Sequence, residues 1–481
     1  MPQVPNIKER LIKGTVWNTL EKIAVKSSSF IISIFLARIL SPSDYGLVGM
    51  LTIFIALSTV FIESGFAKAL IQKQDRNNID FTTVFYFNFI VALFLYLILF
   101  VLAPYIATFY ETPILVPILR VLSLNIIISS INIVQRAQLM IEMDFKSLAK
   151  INFIGTIIGG ICGIIIAINH YGVWALVIQS IISTITMTAL FFYYTKWTPL
   201  WTFSWQSFKE LFHFGSKLLT ASSIVTIFNN ISTIAIGKIY KSDQLGLFTR
   251  ASQFTEMIAW TINDVIGTVT FPILSELQSN KDKMLNVYRK SLFYTTLISF
   301  PAMVLLAIIA KPLVIILLTE KWLPCVSFIQ ILCFARMWTP LSAINMNLLN
   351  AIGRSDLFMK VDLSKLPLEI IILIITIPLG IKAVVIGNLI SAIIGFFINT
   401  YYPGKYFGYG GLKQLRDSIR IFIALIIMCI GTICTISLFN SALLQLIIGS
   451  IVGIVLYILG CILLNIIDVQ NAYQTIHKRL K

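Results

Sequence analysis

Charge is what this chain has least of. Lys, Arg, Asp and Glu make up 12% of its 481 residues, roughly half the share in an ordinary soluble domain. Hydrophobic residues make up 57%, and the mean hydropathy is +0.88. That excludes a soluble globular protein. Strand-like alternation is missing as well: the apolar runs are long and unbroken, which excludes an outer-membrane barrel and leaves a polytopic α-helical membrane protein. Cysteine is sparse. Cys162, Cys325, Cys333, Cys429, Cys434 and Cys461 form no CxxC pair and read as small core residues. The three histidines, His170, His213 and His477, are scattered, so no metal site is expected. There is no P-loop, no GxSxG and no long outer loop to hold a catalytic domain. The chain is therefore expected not to be an enzyme and to need no cofactor. The start, Met1 to Lys13, is polar, and no cleavable signal peptide is expected.

The net charge of +16 needs an outlet. A basic nucleic-acid face requires a soluble domain, so nucleic acid is not an expected partner. Cytoplasmic loops and a basic cavity account for the charge better.

The stretch that organises the chain is Asn18 to Asp44. Asn18, Lys22, Lys26, Ser29 and Ser33 recur at steps of four, four, three and four, which places them on one helical face. A charge near the bilayer centre costs roughly 2.5–3.5 kcal/mol even on the gentlest insertion scale. This face is therefore expected to line a polar cavity.

Apolar runs predict about fourteen spans: 15–39, 44–66, 83–108, 115–138, 148–168, 173–194, 213–237, 244–273, 290–310, 325–349, 358–379, 382–402, 418–438 and 442–466. Alternate loops separate by charge. One set carries Lys68, Lys73 and Arg76; Arg136, Lys146 and Lys150; Lys281, Lys283 and Arg289; and Lys405, Lys413 and Arg416. The other carries chiefly Lys238, Lys241, Lys311, Lys321 and Lys382. The bias predicts both termini in the cytoplasm, with Ile7 to Lys13 as a basic interfacial lead-in. Trp205, Phe208, Leu211 and Phe212 recur at helical spacing, with Ser204 as a cap, and predict an interfacial helix between two halves. The expected domains are a six-helix lobe at 1–195, a cytoplasmic linker helix at 196–212, a second six-helix lobe at 213–403, and two extra helices with a tail at 404–481.

An internal repeat supports this division. Ala37 to Leu47, ARILSPSDYGL, aligns without gaps on Gly237 to Leu247, GKIYKSDQLGL; further on, Gly172 to Ile178, GVWALVI, aligns on Gly380 to Ile386, GIKAVVI. Six spans per copy preserve orientation, which predicts a parallel repeat about an axis along the membrane normal.

Ionisable residues at membrane depth are the candidate site. The cations are Lys22, Lys26, Arg38, Lys217, Arg250 and Arg336; the carboxylates are Glu21, Glu63, Glu256 and Asp264. Arg250, Gln253, Trp260 and Asn263 form a polar stripe on the eighth span, and in a parallel-repeat transporter it would meet the stripe of the first span between the halves. Some of these residues have plainer readings. Lys217 near a helix end would snorkel, Arg38 would anchor at the interface, and Asp362, Lys365 and Glu369 would form a local ladder. Gly155, Gly159 and Gly163 would allow close helix packing. An excess of cations in a wet cavity favours an anionic substrate such as a phosphate.

FLARILSPSDYGLVGM (Phe35 to Met50), ESGFAKALIQK (Glu63 to Lys73), TEKWLPCVSFIQIL (Thr319 to Leu332) and NLLNAIGRSDLF (Asn347 to Phe358) resemble the polysaccharide transporter family of the multidrug/oligosaccharidyl-lipid/polysaccharide (MOP) exporter superfamily. Within it they are nearest to the Wzx-type flippases of the colanic and teichuronic acid exporter group, over about residues 10–400. The resemblance implies twelve to fourteen helices in two lobes and rocker-switch alternating access coupled to an ion, H+ or Na+, for which Glu21, Glu63, Glu256 and Asp264 are the candidates. It also implies a bacterial cytoplasmic-membrane protein that flips an undecaprenyl-pyrophosphate-linked oligosaccharide to the outer leaflet. Membrane lipids and polysaccharide polymerase or assembly proteins would be its partners. Two other readings stand beside it: a multidrug/cation antiporter of the same superfamily, and a non-transporting scaffold of a polysaccharide assembly complex.

Overall fold

In hydrocarbon a backbone N–H or C=O finds no water, so a spanning segment must satisfy its own groups, as a helix does. The computed structural model describes residues 24–63 and 66–466, with only the backbone described at 63, 67–68, 213–215, 217–218, 221 and 268. Every regular element among the described residues is helical. Two compact units divide the chain, Met1–Gly246 and Leu247–Lys481.

The first unit holds α1 (residues 24–39), α2 (Pro42–Glu63), α3 (Phe66–Gln72), α4 (Asn78–Phe109), α5 (Leu115–Leu122), α6 (Leu124–Ile141), α7 (Phe145–Ile168) and α8 (Trp174–Thr195), and the start of α9 (Trp205–Glu276). Ser41 and Asp44 cap α2 reciprocally: the Asp44 carboxylate accepts from the Ser41 N–H at 2.8 Å, and the Ser41 hydroxyl accepts from the Asp44 N–H at 3.3 Å. The glycine stripe acts as expected. A Cβ on Gly155 would lie 2.4 Å from Met187, and one on Gly159 2.7 Å from the Gln179 carbonyl oxygen, so α7 and α8 approach closely along it. Ser204 also caps as expected, accepting from the Ser207 N–H at 3.2 Å. The helix it starts then continues without a break through the expected seventh span. Phe66, Leu70, Val84, Val134 and Leu211 seal its buried face.

The second unit holds the rest of α9, α10 (Lys281–Leu318), a 3-10 turn (Glu320–Cys325), α11 (Val326–Arg336), α12 (Thr339–Ala351), α13 (Ser355–Thr376), α14 (Ile381–Phe407), α15 (Gly411–Asp417), α16 (Ile419–Ser437) and α17 (Ala442–Leu463). Its core runs along Leu292, Phe300, Leu341, Ile344, Phe396 and Met428. A buried polar knot ties α10, α12 and α15: Gln414 donates to the Tyr288 hydroxyl at 3.0 Å and to the Asn345 side-chain oxygen at 3.0 Å. Of the cysteines, Cys325, Cys333 and Cys461 are buried, but Cys434 is exposed.

Eleven helices among the described residues are long and apolar enough to cross a membrane, and fourteen spans are compatible with that figure. The first expected span begins outside the described residues. The seventh and eighth run together in α9, which departs from helical geometry at Lys241 with φ 64° and ψ 174°, so Ser222–Glu276 is one apolar stretch. α13 carries Asp356, Lys360, Asp362, Lys365 and Glu369, which dilute its hydropathy. The expected spans 115–138 and 325–349 are each divided, at Ser123 and at Met337–Trp338.

Candidate functional site

In the first unit, Lys26 and Arg38 lie on α1, and both are exposed. Ser33, on the expected polar face, donates to the Phe30 carbonyl at 2.7 Å. Glu21 and Lys22 lie outside the described residues, and the side chains of Glu63 and Lys217 are likewise outside the description. Lys238, at the end of the α9 segment before Lys241, pairs with Glu111 at 2.7 Å. Asn88 of α4 and Gln135 of α6, both 0% exposed, carry side-chain amides with no hydrogen-bond partner among the described residues. Neither stands out in the sequence, because a single amide in an apolar run has no periodicity to mark it.

In the second unit the stripe of α9 is presented for part of its length. Gln253 and Trp260 are exposed, and Asn263 is half-buried. Arg250 differs. It is 1% exposed where a cavity-lining cation was expected. Its guanidinium donates to the Gln253 side chain at 3.0 Å and lies 5.5 Å from the Phe254 ring and 5.9 Å from the Trp322 ring. Trp322, itself 0% exposed, comes from the TEKWLPC motif, so a motif read for its family resemblance also covers Arg250. Helical periodicity says which face a residue occupies, and says nothing of what another element lays over it.

Glu256 and Arg336 come together. The Arg336 guanidinium donates to the Glu256 carboxylate at 2.6 Å, with both side chains 38% exposed. A cation expected for substrate and a carboxylate expected for ion coupling thus neutralise one another across α9 and α11. Asp264 lies two turns further along α9, half-buried. The local ladder on α13 forms as expected, with Lys365 and Asp362 at 2.6 Å. Sequence periodicity does not reveal a further cluster in the first unit. Lys73 reaches Asp80 and Glu210, each at 3.0 Å, and ties the loop before α4 to the start of α9.

Comparison with known proteins follows the motifs. The family model for polysaccharide biosynthesis proteins matches residues 35–327. The chain is 24% identical over 357 residues to the teichuronic acid biosynthesis protein TuaB of Bacillus subtilis, covering 74% of each chain. It is 25% identical over 397 residues to the lipopolysaccharide biosynthesis protein WzxC of Escherichia coli, covering 81% of this chain and 77% of that one. Among solved structures it shares the fold of the lipid II flippase MurJ in an inward closed conformation, with a TM-score of 0.70 at 16% identity, over 93% of this chain and 98% of that one. Since the match at 35–327 spans more than half of the sequence and begins within the motifs at α1 and α2, the chain belongs to the polysaccharide biosynthesis protein family.

Proposed function

We propose that this protein flips an undecaprenyl-pyrophosphate-linked oligosaccharide across the bacterial cytoplasmic membrane for surface polysaccharide export. The observation that carries the reading is family membership over residues 35–327, and the names of its relatives point the same way. The proposed architecture is two six-helix lobes joined by the linker at 196–212, whose helical part begins at Trp205 as the first stretch of α9, with α16 and α17 outside the repeat. The charge bias between loops supports a cytoplasmic location for both termini. Reporter fusions after Lys73, Lys150, Lys283 and Lys413 are expected to read cytoplasmic, and fusions near Ser43, Asp243 and Leu323 external.

The mechanism is alternating access. Lys22 and Lys26 of the first span present ammonium groups to the pyrophosphate, Arg38 and Lys217 add charge towards the ends of their helices, and Arg336 serves from the second unit, joined by Arg250 once the Trp322 ring that covers it moves aside. Among the four ionisable groups named in that unit, Arg250 and Arg336 are balanced by Glu256 and Asp264, so the cationic surplus of the proposal rests on the first span. Each charge-assisted contact is worth about 1.5–3 kcal/mol, so losing one weakens binding on the order of tenfold or more. Glu256 is the carboxylate best placed to couple transport to H+ or Na+, because releasing or taking up a cation there changes the charge facing Arg336.

Complementation of a flippase-null strain, with the membrane abundance of each variant measured in parallel, tests the reading. Lys26→Ala is expected to lose transport at normal abundance. Full transport by a Lys22→Ala, Lys26→Ala, Arg250→Ala triple variant at normal abundance would overturn the cationic mechanism.

A further inference from the structure

A second cationic recess lies in the unit Leu247–Lys481, built without any residue of α9. Its volume is about 370 Å³, and its walls include Arg289 of α10, Phe407 and Tyr409, and Lys413, Arg416 and Asp417 of α15. That volume falls within the usual range for small-ligand sites. Lys413 and Arg416 stand three residues apart on a short helix, so they lie on one face, a turn apart. Both are exposed. Arg289 completes the cationic wall: it donates to the Asp417 carboxylate at 2.8 Å, and its guanidinium lies 4.9 Å from the Tyr409 ring. The Tyr409 hydroxyl donates to the same carboxylate at 2.8 Å, and Lys413 donates to the Gly408 carbonyl at 2.7 Å. These bonds hold the walls in place while using only part of the donor capacity, since a guanidinium has five N–H donors and an ammonium three. Three cations against one carboxylate leave the recess positive.

We propose that this recess binds the phosphate of an anionic phospholipid headgroup. Phosphate oxygens match the converging N–H donors, and basic pockets at helix ends on a membrane surface are where such headgroups dock. A lipid is favoured over free phosphate by what borders the recess. Leu412, beside Lys413, is 76% exposed, and Ile419, which opens the apolar helix α16, is 57% exposed. An acyl chain would cover both while its phosphate sits among the cations. This site shares no residue with the proposed transport site and does not depend on what is transported.

Native mass spectrometry of the full-length purified protein in detergent tests the proposal, with dioleoyl phosphatidylglycerol, dioleoyl phosphatidylcholine and inorganic phosphate as probes. The expected result is a retained phosphatidylglycerol adduct, no comparable phosphatidylcholine adduct, and no displacement by millimolar phosphate. Lys413→Gln with Arg416→Gln should weaken the adduct about tenfold or more. Lys405→Gln removes an exposed cation that does not line the recess and should leave binding unchanged. Both altered side chains of the double variant are exposed and, among the described residues, only the bond from Lys413 to the Gly408 carbonyl is given up, so its thermal unfolding without lipid should stay close to the parent's. Equal binding of the two lipids, full displacement by inorganic phosphate, an undiminished adduct in the double variant, or an equal loss in Lys405→Gln would each overturn the proposal.

Discussion

Gly46 and Gly246 make the same contact with roles exchanged. A Cβ on Gly46 would lie 1.8 Å from the carbonyl oxygen of Ser242, and a Cβ on Gly246 would lie 1.8 Å from the carbonyl oxygen of Pro42. Pro42 and Ser242 occupy matching places in the two repeat copies, as do the two glycines. Each glycine therefore rests against the other segment, at the residue that aligns with its counterpart's contact. The Ser43 and Ser242 hydroxyls share a 2.7 Å hydrogen bond at the same crossing. The two segments that align weakly in the sequence are here in physical contact.

Alanine at either glycine should break this crossing. The obstacle is backbone, which cannot rotate away, so the cost should reach or exceed the usual 1–3 kcal/mol or so of overpacking. Thermal unfolding in detergent is the measurement. Gly267→Ala is the control: its Cβ would meet nothing nearer than the Asn347 side-chain nitrogen at 3.9 Å, and replacing a helical glycine there should gain up to about 1 kcal/mol. A Gly46→Ala variant as stable as the parent would remove the argument for a close crossing.

The Glu256–Arg336 pair predicts coupled losses. Removing one partner leaves the other charge with only partial access to water. Glu256→Gln and Arg336→Gln should each destabilise by about 1 kcal/mol, a modest figure because both side chains are 38% exposed. The double variant should cost less than the two singles together. A strictly additive double variant would show that the pair is an incidental approach. If Glu256 also couples transport, the pH dependence should flatten in Glu256→Gln and in the double variant alike.

The Lys73 cluster sets a pH window. A hydrogen bond from Lys73, then one from Gln206, holds the Glu210 carboxyl below its ordinary value of 4.5. Partial burial works against the Lys73 ammonium, but hydrogen bonds to Asp80 and Glu210 outweigh it and raise Lys73 above its ordinary 10.5. The Glu210 contribution is therefore complete above pH 4.5 or so and fades as pH falls through its lowered folded value. The Lys73 contribution is complete below its ordinary value and fades as pH rises through the raised one. Unfolding temperature measured against pH should show an acid limb that Glu210→Gln makes shallower, while the alkaline limb stays partly intact. An acid limb identical in the variant would assign it to other carboxylates.

Much of this fold is legible in the sequence because hydrocarbon punishes any segment that is not an apolar helix. Span positions, the Ser204 cap and the glycine stripe of α7 follow from local chemistry. What periodicity does not carry is the identity of the covering element. Arg250 belongs to a polar stripe by spacing, yet Trp322, far along the chain, closes over it. Glu256 and Arg336 read as parts of opposite machinery because 80 residues separate them. The helix break at Ser123 is equally hidden, since that position holds no proline or glycine to announce a change of direction, whereas the departure at Lys241 falls in the expected gap between 237 and 244.

The Arg250–Trp322 contact yields the last prediction. Trp322 is 0% exposed, and truncating a buried indole to alanine costs about 3–5 kcal/mol. Trp322→Phe keeps an aromatic face for the guanidinium and leaves a smaller void, so it should lose much less. Arg250→Lys keeps the charge but not the flat fork that stacks on rings while bonding to Gln253. It should forfeit roughly the 0.5–2 kcal/mol of a cation–π contact. Thermal stability in detergent should thus fall in the order parent, Trp322→Phe, Arg250→Lys, Trp322→Ala. Transport should follow a different order. If Arg250 meets the substrate phosphate, Trp322→Phe transports normally, Arg250→Lys transports weakly, and Arg250→Ala fails even at permissive temperature. Transport that instead tracks stability across all these variants would make Arg250 a packing residue alone.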